Sequence, residues 1–161
     1  MKLLAQTNLA WMRYPLDDQR MAPMRDEIDR INRLGDASPG CVWRFETPDG
    51  DAPTVRVLDA PRILFNLPLW RSIDDLRHYV YRTEHADFFR RRREWFILPP
   101  QPPVAMWWVA ESERPSVSDA MERLERLWRK GPSPEAFSLA DAWDPDGRPV
   151  SWTRRSPRTN G

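Results

Sequence analysis

Apolar positions along the chain recur with two different spacings, which predict strands and helices in alternation. Alternating or continuous apolar runs predict strands at 3–11, 41–46, 54–59, 62–70 and 104–110. Apolar residues from Met21 to Ile31 are spaced by three and four positions, as on one side of a helix. The chain therefore begins as a strand followed by a helix, which is typical of a mixed α and β domain.

Hydroxyl side chains predict the starts of three further helices. A hydroxyl at this position accepts a hydrogen bond from a free N–H of the first turn. Ser72, Thr83 and Ser116 each precede a segment with helical spacing. The segment after Thr83 runs from Glu84 to about Phe96, so the sequence predicts two helices with a break between them.

The order of elements predicts an α+β fold. The crossovers are too few for a wide parallel sheet, so we expect four or five antiparallel strands with helices on one face. The other face would then be bare, and either a second copy or the long tail would cover it. We place the folded domain at residues 1–140 and a tail rich in Pro and Arg at 141–161, where Trp143 and Trp152 predict an arm that packs back.

Composition excludes several classes of function. The net charge is +1 across 161 residues, so no overall positive field favours nucleic acid. No apolar stretch approaches the ~20 residues of a membrane span, and the N-terminus does not resemble a signal peptide, so we expect a cytoplasmic protein. Cys41 is the only cysteine, which excludes an internal disulfide and a cysteine-based zinc site.

The candidate chemistry lies between residues 65 and 96. Asn66 interrupts an apolar strand, so its amide must be hydrogen-bonded or must face a cavity. His85 opens the second of the paired helices, where it can act as a base, cap the helix or bind haem. Trp70 and Trp95 either pack in the core or form the wall of a site for a flat ligand.

Two further residues are predicted to share the side of His85. Tyr81 precedes it by four positions and Arg92 follows it by seven. In a continuous helix both spacings return a side chain to the same side. We therefore expect Tyr81, Arg92 and Trp95 to contribute to substrate binding, with Arg92 available to neutralise a phenolate or carboxylate.

The stretch from Trp70 to His85 resembles a bacterial family of unknown function. The shared pattern is W-x-S-x-(D/E)-x-L-x-x-(Y/F)-V-Y-x-(S/T)-x-H, followed by RRRREWF at 90–96. That family is similar to the antibiotic-biosynthesis monooxygenases of the dimeric α/β-barrel superfamily. The resemblance covers about residues 3–140 and includes the segments DDxRMA, ASPGCVWRF, WWV and GPSPEAF.

The resemblance implies a ferredoxin-like homodimer with a ligand cavity between sheet and helices. In the monooxygenases an Asn and a Trp four residues apart assist oxygen activation on a phenolic substrate without metal or flavin, and Asn66 and Trp70 have that spacing. Other relatives bind haem through a helical His, which His85 matches.

Three functions follow as alternatives. The first is a cofactor-independent monooxygenase or related isomerase acting on an aromatic or polyketide-like substrate. The second is a protein that binds a small hydrophobic molecule without catalysis, and the third is a haem protein.

Overall fold

A computed structural model describes residues 1–47 and 62–151. The strand predicted at 54–59, most of the loop predicted at 47–53, Trp152 and the end predicted to be loose at 153–161 lie outside the described residues.

The described chain forms four α-helices and eight short strands. The strands are β1 Lys2–Met12, β2 Cys41–Arg44, β3 Ile63–Asn66, β4 Pro68–Trp70, β5 Phe96–Ile97, β6 Val104–Ala110, β7 Ala142–Trp143 and β8 Pro149–Val150. The helices are α1 Ala22–Asp36, α2 Ile73–Arg82, α3 His85–Arg91 and α4 Val117–Lys130. Short 3₁₀ turns precede α1 and follow α3.

Strand β1 lies in the middle of an antiparallel sheet. On one side β3 and β4 pair with it in a single register, with Asn8 opposite Asn66 and Leu4 opposite Trp70. On the other side β6 and β5 pair with it, and β2 lies outside β4. With the crossover helices this is the ferredoxin-like arrangement, so the predicted α+β class is confirmed.

Both faces of the sheet are covered. Side chains alternate along a strand, so Leu3, Ala5 and Leu9 face one side, and Leu4 and Met12 face the other. The first side packs against α4, and the second packs against α1, α2 and α3. The expectation of helices on one face therefore holds for the first three helices but not for α4.

Helix α4 covers the face that was expected to be bare because its apolar stripe needs a partner. Ala120, Leu124 and Leu127 are buried in the same cluster as Leu3 and Leu9. Pairing of two sheets through this face would require α4 to move. Self-association of the chain stays a prediction.

The segment after α4 packs back on its own chain. Phe137 forms a short antiparallel bridge with Met106 at the edge of β6. The hairpin of β7 and β8 follows, and the Trp108 indole Nε1 donates to the Trp143 carbonyl at 2.8 Å. Trp143 therefore belongs to an arm, as predicted, and the arm contacts the same chain.

Candidate functional site

An aromatic row crosses the helix layer above the sheet. It consists of Trp70, Tyr79, His85, Phe88 and Trp95. Successive ring centroids are 5.2, 4.6, 6.4 and 5.3 Å apart. The row begins in the apolar cluster around Leu4 and ends in a second cluster around Met12. Three of the predicted site residues thus belong to one connected set of rings.

The break between α2 and α3 places His85 in this row. Helix α2 begins after Ser72, whose side chain accepts from the Asp75 N–H, as predicted. It ends at Thr83, whose hydroxyl donates to the Tyr79 carbonyl at 2.6 Å and accepts from the His85 N–H at 3.2 Å. The predicted break is confirmed, and it sets the imidazole against the Tyr79 ring.

The environment of His85 favours its neutral form. Burial lowers the pKa of the imidazole from its ordinary value of 6.5, against a smaller opposing effect from the Val80 carbonyl. The His85 Nδ1 lies 3.4 Å from that carbonyl oxygen. A carbonyl can only accept, so Nδ1 carries the proton when this bond forms. The Nε2 lone pair of the neutral ring is then available as a base.

Asn66 lies on the same side of the sheet as the row. Its register with Asn8 places it on the face that α1, α2 and α3 cover. Along β3 and β4 it lies between Leu64, which packs with Trp95, and Trp70. The two ends of the aromatic row therefore pack on opposite sides of Asn66. Direct approach of Asn66 and His85 to one ligand stays a prediction.

The two tryptophans of the row differ in what they offer. Trp95 is 2% exposed and packs with Met12 and Met24, so it supports the row from the core. Trp70 is 1% exposed, and its buried indole N–H has no hydrogen-bond partner within the described chain. A buried unpaired donor is uncommon and needs an explanation such as a water or a ligand.

Tyr81 and Arg92 both contact the ring of Phe89. Tyr81 is 52% exposed, and its ring packs edge-to-face with Phe89 at a centroid distance of 6.4 Å. Because α2 ends before His85, the spacing of four does not bring Tyr81 to its side. The Arg92 guanidinium lies 3.9 Å from the Phe89 ring centroid and donates to the Phe89 carbonyl at 2.7 Å. Arg92 therefore caps the C-terminal end of α3 through its side chain.

Tyr81 instead borders a shallow groove on the outer side of α2. The other residues that line this groove are Asp74, Arg77, His78 and Arg82. His78 is exposed, as predicted, and the groove is open to solvent rather than enclosed by the sheet.

The described residues also limit other chemistry. They contain no cluster of three His, Cys, Asp or Glu side chains able to hold a metal ion. Within the same ranges, no helix has both the length and the apolar character needed to cross a membrane. Burial raises the pKa of the Cys41 thiol to about 11, so it is not a thiolate nucleophile at neutral pH.

Sequence reasoning missed four residues near the row. Tyr79 and Phe88 supply its connecting rings, and Gln6 and Asn8 share the face of Asn66. The signal for the two amides was present, because they interrupt the apolar positions of β1 that share the face of Leu4. The signal for Tyr79 was its place inside the pattern from Trp70 to His85.

The lowered pKa of His85 predicts a loss of stability in mild acid. The unfolded chain binds this proton more readily than the folded chain. The free energy of unfolding should therefore be full above pH 6.5 and fall as pH decreases below it. The slope for one proton is at most about 1.4 kcal/mol per pH unit.

Urea unfolding between pH 5 and 8 measures this effect. We expect the free energy of unfolding to decline less with decreasing pH in His85→Gln than in wild type. In His78→Gln the decline should be the same as in wild type. An equal decline in all three proteins would contradict the assignment to His85.

The sequence matches the family described as "Domain of unknown function (DUF3291)" over residues 3–153. The chain belongs to this family. The match includes the arm, most of which we had placed in a separate tail. A comparison with curated proteins finds no match.

Several solved structures resemble this DUF3291 chain. A protein of unknown function from Nitrosomonas europaea, NE2512, is 14% identical, covers 72% of this chain and 97% of its own, and has a TM-score of 0.50. SnoaB, a cofactor-independent oxygenase from Streptomyces nogalater, is 11% identical, covers 71% of this chain and 97% of its own, and has a TM-score of 0.47. Rv0793 from Mycobacterium tuberculosis is 17% identical, covers 72% of this chain and 100% of its own, and has a TM-score of 0.43. The likeness to NE2512 shows a shared fold.

Proposed function

We propose that this protein is a cofactor-independent oxygenase acting on an electron-rich aromatic molecule. The observation that carries the proposal is the partly buried, neutral His85 within a row of aromatic rings on the same side of the sheet as Asn66. An apolar cleft with a few polar groups is the usual form of a small-molecule site.

The neutral imidazole supplies the first chemical step. Nε2 of His85 removes a proton from a phenolic hydroxyl, which leaves an electron-rich phenolate. A phenolate can transfer an electron to O₂ directly. One oxygen atom of O₂ then enters the substrate as a carbonyl at the ring carbon para to the phenolate oxygen, so that the phenol becomes a quinone. The other oxygen atom leaves as water with the hydrogen of that carbon and the phenolic proton.

Asn66 supplies the second element. Its amide N–H groups can donate to the phenolate oxygen or to the oxygen species formed from O₂, where negative charge develops. The indole N–H of Trp70, at the end of the next strand β4, is a further donor that has no hydrogen-bond partner among the described residues.

The haem alternative has weaker support in the geometry. Tyr79, Phe88 and Phe89 all lie within 6.4 Å of the imidazole centroid of His85. A macrocycle bound at the imidazole would compete for space with these three rings. Purified protein should therefore lack a Soret band, and a stoichiometric band would favour the haem function.

Oxygen consumption with a panel of hydroxynaphthalenes tests the oxygenase directly. We expect uptake matched by a product that carries one atom from ¹⁸O₂. Asn66→Leu should lower kcat about tenfold to a hundredfold, less than a fully dry oxyanion site because Asn66 is only partly buried.

The exposed amide of Gln101 provides the control, and Gln101→Leu should leave kcat unchanged. Binding of the panel without oxygen uptake by any member would favour the non-catalytic alternative.

A further inference from the structure

Three amide side chains occupy neighbouring positions on the sheet face below the aromatic row. Gln6 and Asn8 lie on β1, and Asn66 lies opposite Asn8. Gln6 and Asn8 are two residues apart, which is about 7 Å along a strand. Asn8 and Asn66 have Cβ atoms about 5 Å apart across the ladder. We call these three residues the amide band.

The amide band separates two apolar clusters. On one side of it along the strands lie Leu4 and Trp70, and on the other lie Met12 and Leu64. The sheet face thus carries amides between two apolar clusters. On the helix side, the aromatic row connects the same two clusters.

The amide band is open despite its central position. Strand β1 has neighbours on both sides, and Leu3, Leu4, Ala5 and Leu9 on it are at most 1% exposed. Gln6 and Asn8 are only partly buried. Because both edges of β1 are paired, the exposure of these two side chains comes from the sheet face on which α1, α2 and α3 lie.

The amides also lack protein partners. No side-chain hydrogen bond involves Gln6, Asn8 or Asn66 among the residues that the structure describes. Folding rarely places three amides side by side on an inner strand without pairing them, because such groups cost free energy unless solvent or a ligand binds them.

We propose that the amide band recognises neutral oxygen groups in the middle of the substrate, while the apolar ends of the substrate contact the two clusters. Amides both donate and accept, so hydroxyl and carbonyl groups suit them equally. No full positive charge lies among the three, so they give no special stabilisation to a carboxylate. The substrate class is therefore a flat, polyoxygenated but uncharged ring system. This inference rests on the proposed function only for the location of the site.

A matched pair of probes tests the proposal without turnover. Flavone and 5,7-dihydroxyflavone share a flat skeleton and differ only in two hydroxyl groups. Wild-type protein should bind the dihydroxy compound more tightly by isothermal titration. Gln6→Met and Asn8→Leu should each reduce the ratio of the two affinities about threefold to tenfold, the effect of one hydrogen bond. Affinity for flavone should not fall.

Thr7→Val is the control, because Thr7 lies between the two amides on β1 but faces α4. It should leave the ratio unchanged. Thermal unfolding of each variant verifies that the fold is retained, and Gln6→Glu and Asn8→Asp provide further variants for any apolar replacement that unfolds.

The outcomes separate this proposal from the oxygenase proposal. If only Asn66→Leu changed the ratio, the oxygenase proposal would stand and the amide band would be refuted. Binding of neither probe, or an equal ratio in wild type and variants, also overturns the amide band. If His85→Gln abolished oxygen uptake and left the ratio of the two probe affinities unchanged, the result would support both the oxygenase proposal and the amide band.

Discussion

His85→Gln is expected to lower the rate of oxygen uptake by about 10²–10⁴-fold, the usual contribution of a positioned general base. Gln retains the size and hydrogen-bonding capacity of the side chain but cannot accept a proton at neutral pH. Substrate affinity should change little, because the imidazole acts on the proton rather than on the ring system. Steady-state oxygen uptake on either side of neutral pH measures the effect.

The pH profile gives an independent measure of the same residue. Burial lowers the pKa of His85, so wild-type activity should rise as pH increases through a value below 6.5 and then stay constant. The rise should be absent from the residual activity of His85→Gln. His78→Gln should behave as wild type, because that ring is exposed on the outer side of α2. A rate for His85→Gln within threefold of wild type would remove the base from the mechanism.

Trp95→Ala is expected to reduce the free energy of unfolding by about 3–5 kcal/mol, the range for a fully buried large aromatic residue. The indole is 2% exposed and packs in a cluster with Met12, Met21, Met24 and Leu64. Its ring stacks on Phe88 at 5.3 Å. Urea unfolding at pH 7.5 measures the loss, since His85 is neutral there in both states.

Trp95→Phe provides the matched comparison. It retains much of the apolar area and a ring to stack on Phe88, so we expect less than half the loss seen for Trp95→Ala. Both variants should bind flavone with similar affinity once folded if Trp95 only supports the row. A tenfold loss of flavone affinity in folded Trp95→Phe would instead place the ligand against the indole, as the sequence suggested.

Much of the fold followed from local signals. Ser72 and Ser116 mark helix starts because each hydroxyl pairs with a free N–H of the first turn. Thr83 ends α2 and lies one residue before Glu84, the N-cap of α3, although its hydroxyl still accepts from the His85 N–H. The wholly apolar run at 104–110 predicted a strand covered on both sides, and β6 has the same bounds. Such signals depend on a few neighbouring residues, so the sequence carries them directly.

The placement of α4 did not follow from local signals. Its amphipathic pattern shows that one side must be buried, but many surfaces could bury it. Only the whole sheet shows that one face remains after α1, α2 and α3 have packed. The same limit applies to Tyr81, because a helix break of two residues changes the direction of every side chain after it.

The candidate site was predicted in part. Asn66 was identified because an amide is unusual in an apolar strand, yet Gln6 and Asn8 carry the same signal in a strand that pairs with it only in the folded chain. Cross-strand register depends on contacts about 60 positions apart. That separation is why sequence reasoning found one amide and missed its neighbours.

The coverage of both sheet faces has a consequence for how the protein reaches its native state. Helix α4 buries the apolar residues that would otherwise wait for a second polypeptide. Core formation is then a first-order process whose equilibrium does not depend on protein concentration.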